Sequence, residues 1–460
     1  MAEKPLCFVL MPFGNKKDPG GGPDIGFDAI YDQAIRPAIE GAGMEPVRAD
    51  EERTGGIIHK PMYERLLLCD YAVADLTTAN PNVYYELGIR HAARPATTLA
   101  IFARQQMLPF DVNFLRALPY ELGDGNRFSA READLLRSAL QNRLRELRDY
   151  ALEEGATDSP LFQLLSDYRP PDIARLKTDV FREQVQYSMR LKRELAKARS
   201  REDSAEVSRI EESLGSHLDG VEAGVLVDLL LSYRALEQWN KMVDLYDRLP
   251  ATLKRSVMVR EQFAFALNRL KERRQALEVL EEVVAERGPS SETMGLIGRV
   301  YKDLWAETYR KGNAIAARGY LDKAIDAYVR GFEADWRDAY PGINAITLLD
   351  IRGDEGSLAR KAELLPVVRF SVNQRLKSAK PDYWDHATLV EIAVLEGNAQ
   401  AAGQHLSDAI ASIREPWEPK TTANNLSLIR EARHDRGIEE GWVNDIVTAL
   451  ENENAHRIKR

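Results

Sequence analysis

The chain's 460 residues are about three times a typical domain length, so two or three domains are expected. Hydrophobic residues make up 44% and charged residues 29%, an average globular composition that excludes a disordered or collagen-like chain. Sixty-three Lys and Arg against 72 Asp and Glu leave a net charge of −9, which argues against non-specific nucleic-acid or anionic-membrane binding by the chain as a whole.

The opening MAEKPLCFVLMPFG lacks the apolar region and cleavage site of a signal peptide, and no apolar stretch approaches the roughly 18 residues of a spanning helix. A cytoplasmic location is expected. Leu6 to Met11 reads as a strand, Phe27 to Glu40 as a helix with Phe27, Ile30, Ile35 and Ile39 inward, and Glu45 to Arg48 as a strand. After Gly55 and Gly56 come a helix ending near Leu68, a strand Tyr71 to Asp75, a helix Pro81 to Ala93, a strand Thr97 to Phe102 and a last strand within Ala117 to Leu122. Strand–helix alternation with short connections implies a parallel sheet flanked by helices, with ligands bound beyond the carboxyl ends of the strands. Ser129-Ala130-Arg131-Glu132 has the form of a capping box and opens an amphipathic helix with Leu135, Leu136, Leu140, Leu144 and Leu147 on its buried side. The glycine-rich insertion Pro19 to Pro23 lacks the GK[ST] ending of a phosphate loop and reads as a mobile flap over the cleft. Cys7 and Cys69, in apolar strand-like runs, read as buried thiols. The seven histidines have no metal-ligand spacing, so no metal site is expected.

From about Ser159 helical periodicity takes over. A charged helix runs to Arg199 with Ile173, Leu176, Val180, Val185 and Leu195 as inward candidates. Placing Ala223 and Val257 at equivalent positions aligns Tyr233 with Leu267, Met242 with Ala276 and Tyr246 with Leu280, each pair 34 residues apart, which is the tetratricopeptide period. A third copy from near Ser291 supplies Gly298 and Tyr301, then takes about 14 extra residues before the second-helix signature returns at Ala324 and Tyr328. Stacked helix pairs form a curved solenoid whose concave face suits a ligand or a peptide. The expected architecture is an α/β domain (1–155), a charged helical linker (156–220) and an all-α tetratricopeptide-like solenoid (221–460).

The segment from Asp70 to Gly88 is the one that suggests chemistry. Strand Tyr71 to Asp75 delivers Asp75 to the ligand-binding end of the sheet, and Asn80 with Pro81 forms a helix start. Glu86 falls in the second turn, four residues after Asn82, and Gly88 allows close backbone packing. Two carboxylates, Asp75 and Glu86, facing one pocket would suit cleavage of an N-glycosidic bond. The same residues also fit a structural reading in which Glu86 pairs with Arg90 and Asp75 caps the strand end.

FVLMPFG after the first strand, then CDYAVADLT and NPNVYYELGIRHA, resemble the nucleoside 2-deoxyribosyltransferase-like branch of the TIR-related domains over residues 5 to 122. The resemblance implies that Glu86 is the nucleophile or key carboxylate acting on a nucleoside or NAD ribose and that Asp75 assists. It implies a pocket lined by Met11, Pro12, Phe13 and Gly14, with Arg48 and Asp50 at the second strand end and Asn82 and Tyr85 positioning the sugar. Asp338 to Asn344, YWDHATLVEIAVLEGN from Tyr383, and Trp417 to Asn425 resemble the TRAFs-binding region of apoptosis signal-regulating kinases and its bacterial relatives. There Trp336, Asn344, Trp384, Thr388, Trp417 and Asn425 recur at helix starts, where aromatics can stack a base and amides read its edge.

The function expected from these readings is regulated cleavage or exchange of an N-glycosidic bond in NAD or a nucleoside, without a metal or organic cofactor, in a bacterial defence or stress-signalling effector. The alternative is a non-enzymatic nucleotide-sensing or protein-interaction scaffold. Expected partners are a nucleotide or nucleoside, a protein or second messenger on the solenoid, and a second copy of the chain; nucleic acid and membrane are not expected.

Overall fold

The computed structural model describes residues 4–48, 59–106, 117–151, 156–165, 167–169, 178–378, 381–413 and 418–458. Its strands are β1 (Leu6–Leu10), β2 (Asn15–Lys16), β3 (Ile25–Gly26), β4 (Glu45–Arg48), β5 (Tyr71–Asp75), β6 (Thr98–Ala103) and β7 (Leu118–Tyr120). Helices in the first part are α1 (Phe27–Ile30), continuing through a π turn (Tyr31–Ile35) into α2 (Arg36–Gly41), then α3 (His59–Leu68), α4 (Pro81–Ala93), α5 (Ala130–Tyr150), α6 (Pro160–Leu164), α7 (Thr178–Ser200), α8 (Ser204–Ser213) and α9 (Ala223–Ala235). There follow α10 (Trp239–Arg248), α11 (Ala251–Lys254), α12 (Val257–Arg269), α13 (Arg273–Arg287), α14 (Ser291–Arg310), α15 (Ala314–Ala334) and α16 (Ala339–Arg352). The last are α17 (Glu355–Ser378), α18 (Tyr383–Leu395), α19 (Ala399–Ala411), α20 (Glu418–His434) and α21 (Trp442–Ile458). The fold is an α/β layer followed by helical repeats. By internal contacts it divides into two compact units, residues 1–238 with 247–256 and residues 239–246 with 257–460.

In the first unit the sheet runs β4-β1-β5-β6-β7, every pairing parallel; parallel neighbours need a crossover between them, and α1 with α2, α3 and α4 supply those that lead into β4, β5 and β6. Strand side chains alternate between faces. Val9, Val73 and Ile101 meet Ile30, Ile35 and Ile39 and the α5 stripe Leu136, Leu140 and Leu144 on one face; Phe8, Ala72 and Ala74 meet Leu66, Val83 and Leu87 on the other. Phe27, Ile30, Ile35 and Ile39 are all 0% exposed, as their spacing predicts. Leu135 is not inward: it is 58% exposed, because it lies about 100° around the helix from the stripe begun by Leu136. Ser129 and Glu132 form the expected capping box. Both cysteines are buried and unbridged.

The glycine-rich insertion is tied down. Asp18 Oδ1 accepts from Gly20 N and from Gln106 Nε2, each at 2.7 Å, while Asn126 Nδ2 donates to Asp18 Oδ2 at 2.8 Å and to Pro23 O at 2.6 Å. The segment expected as a linker is packed as well. Val185 of α7 lies in the core with Phe8, and Glu222 Oε1 accepts from Arg65 at 2.6 Å and Lys192 at 3.0 Å. Burial opposes ionisation of Glu222, but the two cations win and hold its carboxyl down to about 2. Leu195 is also buried as expected, whereas Ile173 and Leu176 lie outside the described residues and nothing is described of the Val180 side chain.

The second unit is built of helix hairpins, α12–α13 through α20–α21. Ala264, Ala276 and Ala324 are 0% exposed, and Tyr246 stacks on Phe263 with ring centroids 3.7 Å apart. Gly298 is required by close approach: a Cβ there would lie 2.8 Å from the Tyr328 ring. The extra residues of the third copy do not form a loop. They lengthen both helices, α14 to 20 residues and α15 to 21, joined by the turn Lys311-Gly312-Asn313.

Candidate functional site

Tyr71 and Val73 face the α5 side of the sheet, and strand parity sends Asp75 the same way. There Asp75 is 1% exposed. Its Oδ1 accepts from Thr77 N at 3.0 Å and Thr77 Oγ1 at 2.5 Å, and its Oδ2 from Tyr120 OH at 2.9 Å. Burial raises its pKa to about 6, against the pull of these donors. Helix α4 covers the opposite face through Val83 and Leu87, so Glu86 belongs to the other side of the sheet. The expected shared pocket is therefore corrected: β5 and α4 place the two carboxylates on opposite faces.

The rest of the α4 constellation is exposed. Asn80 caps the helix as expected, accepting from Asn82 N at 2.9 Å, and Pro81 opens it. Asn82 itself is exposed. Tyr85 is 58% exposed, with its hydroxyl 3.0 Å from that of Tyr63. Gly88 has no close neighbour, which corrects the expected tight packing.

A buried carboxylate held by three donors has a testable signature. Its folded pKa lies above the ordinary 3.8, so the fold loses stability as pH rises from about 4 to about 6 and stays lower above that. Asparagine keeps the Thr77 bonds and can donate to Tyr120, whose hydroxyl turns to Thr77 Oγ1 at 3.0 Å. Asp75→Asn is expected to raise the thermal midpoint at pH 8 while changing it little at pH 4. A midpoint that falls equally at both pH values would refute this account.

The loop after β1 does come together with the end of β4. Met11 and Pro12 are buried, and the Arg48 guanidinium lies between the rings of Phe13 (4.8 Å) and Tyr31 (4.5 Å). Arg48 donates to Asp28 Oδ1 at 2.7 Å and to Pro12 O at 3.5 Å. Gly14, at φ +62°, makes the turn and donates its N–H to Asp28 Oδ1 at 3.1 Å. The guanidinium thus fastens the loop to the strand end. Asp50 lies outside the described residues.

Sequence reasoning missed the residue that orders α4. Arg90 is 0% exposed. It donates to Leu66 O (2.7 Å), Cys69 O (2.8 Å) and Asp70 O (3.1 Å), and to the hydroxyls of Thr97 (3.0 Å) and Thr98 (3.4 Å). Its guanidinium serves these oxygens rather than the surface ion pair with Glu86 that the spacing allowed.

In the second unit the six candidate ligand residues separate. Trp336 is 52% exposed and leans on Phe370. Trp384 packs edge-on to Tyr383, and Thr388 bonds the carbonyl of Trp384 at 2.7 Å. Trp417 lies outside the described residues. Asn344 and Asn425 do meet, on a residue not foreseen: half-buried Lys302 donates to their side-chain oxygens at 3.2 and 3.0 Å. Asn425 donates in turn to Glu391 at 3.3 Å. Burial lowers the Lys302 pKa and raises that of Glu391. Side chains from α14, α16, α18 and α20 thus engage the two amides expected to read a base.

A second polar junction lies between α16, α17 and α20. Asp350, 1% exposed, receives Arg433 Nε at 2.9 Å, Lys361 Nζ at 2.7 Å and Arg436 at 3.5 Å. Arg433 also donates to Val394 O and Leu395 O, both at 2.9 Å, and to Glu440 at 2.6 Å. A hollow of about 430 Å³ opens between α13, α14 and α15, lined by Met294, Ile297 and Ala327 and by charged side chains. Among the described residues no helix is long and apolar enough to cross a membrane.

Comparison with known proteins places this arrangement. Mouse mitogen-activated protein kinase kinase kinase 15 is 24% identical over 445 residues, 89% of this chain and 31% of that protein. The Caenorhabditis elegans kinase kinase kinase nsy-1 is 32% identical over 220 residues, 44% of this chain and 14% of that protein. The chain thus spans a third or less of the length of these relatives. Among solved structures, a thermophilic TPR protein of Thermus thermophilus aligns with a TM-score of 0.34 and 16% identity, over 44% of this chain and 98% of its own. A tetratricopeptide repeat protein of Parabacteroides merdae aligns with a TM-score of 0.33 and 12% identity, over 59% and 98%. The model of the MAP3K TRAFs-binding domain matches residues 83–447, about four fifths of the sequence, and the chain belongs to that family.

Proposed function

We propose that this chain is a non-catalytic interaction scaffold of a signalling assembly, its helical repeats engaging a TRAF-type protein. One observation carries the reading: the TRAFs-binding family match runs without a break from α4 into α21, through all five hairpins of the second unit. The interior supports it. Lys302, Asn344, Asn425 and Glu391 are engaged with one another across four helices, which leaves the exposed helix faces as the surface for a partner. The relatives are kinases matched over a third or less of their length, so what carries over is the role of the shared region.

Cleavage of an N-glycosidic bond in NAD or a nucleoside is the competing proposal, resting on the likeness of residues 5 to 122 to deoxyribosyltransferase-like domains. One preparation separates the two. The full chain is expected to retain a purified TRAF domain in solution, and to release no free base when incubated with NAD or nucleosides, with or without that domain. Release of base that disappears in Glu86→Gln, together with no retention of the TRAF domain, would overturn the scaffold reading.

A further inference from the structure

The lengthened α14–α15 hairpin ends in a surface whose composition differs from the rest of the chain. The last ion pairs reaching it from neighbouring helices are Arg273 with Glu307 at 2.6 Å and Arg352 with Asp322. From Asp322 back to Ala314 the helix runs on for about 12 Å at 1.5 Å per residue. Between Thr308 and Leu321 stand three cations, Arg310, Lys311 and Arg318, and no acidic residue, in a chain of net charge −9. All three are exposed, and none is in an ion pair with a described residue. Beside them Ile315 is 90% exposed and Tyr309 59% exposed. The buried base of the hairpin, Trp305, Ala317 and Leu321, holds this tip in place.

Exposed aliphatic and aromatic side chains ringed by one sign of charge form an apolar contact with an electrostatic rim. A nucleotide would need a hollow to bury its base, whereas Tyr309, Ile315 and the three cations all stand exposed. The excess of acid elsewhere on the chain disfavours approach to an anionic bilayer. A protein segment that is acidic and carries one or two apolar side chains satisfies both the cations and the Tyr309–Ile315 surface. We propose that the α14–α15 tip docks such an acidic segment of a partner protein. The proposal rests on the scaffold reading and supplies the partner's chemistry.

The test uses the full chain and a fluorescent peptide, EDEFLDED, with the neutral peptide QNQFLNQN as control. Fluorescence anisotropy is expected to show salt-sensitive binding of the acidic peptide only. Binding should weaken about 10-fold or more in Arg310→Glu/Lys311→Glu/Arg318→Glu, and measurably in Tyr309→Ser/Ile315→Ser. All five positions are exposed, and unchanged circular dichroism confirms that both variants fold. Equal binding by the charge-reversed variant, or no binding by the wild type at about 1 mM peptide, would overturn the proposal. So would retention on phosphatidylserine vesicles in place of the peptide, which would assign the tip to lipid. TRAF-domain retention by the wild type is read separately, so its failure sinks the scaffold reading without altering the peptide result.

Discussion

Arg433→Met is expected to cost the second unit about 3–5 kcal/mol, more than any other single change in that unit. The side chain is 8% exposed and makes hydrogen bonds to four residues at once: Asp350 on α16, the carbonyls of Val394 and Leu395 at the end of α18, and Glu440 before α21. Methionine fills much of the volume but donates nothing, leaving Val394 O with only the Gly397 N–H at 3.0 Å, Leu395 O with only Lys361 Nζ at 3.5 Å, and Asp350 with only Lys361 and Arg436. The change is easy to isolate, because all six tryptophans lie at or beyond Trp239, within the second unit. Urea unfolding followed by tryptophan fluorescence should show a lower midpoint. The double variant Asp350→Leu/Arg433→Met should recover part of the loss, since an apolar pair removes the buried charge along with its partner. A midpoint unchanged in Arg433→Met would show that the junction is not a support.

The sequence made the architecture readable where one physical rule dominates. Apolar alternation fixed the strands, the Asn80-Pro81 and Ser129–Glu132 starts fixed two helix ends, and the 34-residue spacing fixed the repeats. The candidate site was less legible, because strand and helix patterns locate a residue along the chain before they locate its face. Asp75 was rightly read as the end of β5, yet it shares the parity of Tyr71 and Val73, and that parity directs it away from the face that α4 covers. The buried cations were missed for a related reason. Val83, Leu87 and Arg90 form an i, i+4, i+7 stripe, and Leu426, Ile429 and Arg433 form an i, i+3, i+7 stripe. A charged residue in the third position of an apolar stripe is the signal that was available, and it marks a side chain whose partners are backbone oxygens. Asn344 and Asn425 were read as polar residues at helix starts, whereas they lie inside α16 and α20, and their meeting on Lys302 depends on three separate hairpins and has no local signature.

Arg90→Met is expected to be the corresponding loss in the first unit, again about 3–5 kcal/mol, and to affect it alone. Arg90 is wholly buried on α4 and spans the ends of three elements: the last turn of α3 through Leu66 O, the entry to β5 through Cys69 O and Asp70 O, and the entry to β6 through the two threonines. Burial lowers its pKa only to about 10, so it remains a cation at neutral pH and must stay bonded. Lysine offers three donors where the guanidinium has five in a planar fork, so Arg90→Lys should recover only part of the loss. Because the first unit holds no tryptophan, fluorescence should report a nearly unchanged transition in Arg90→Met. Hydrogen exchange should meanwhile show amides of β1, β5 and β6 losing protection. Tryptophan and exchange midpoints that moved together would mean the two units unfold as one, whereas protection retained in all three strands would mean that Val83, Leu87 and the rest of that core hold α4 in place without its arginine.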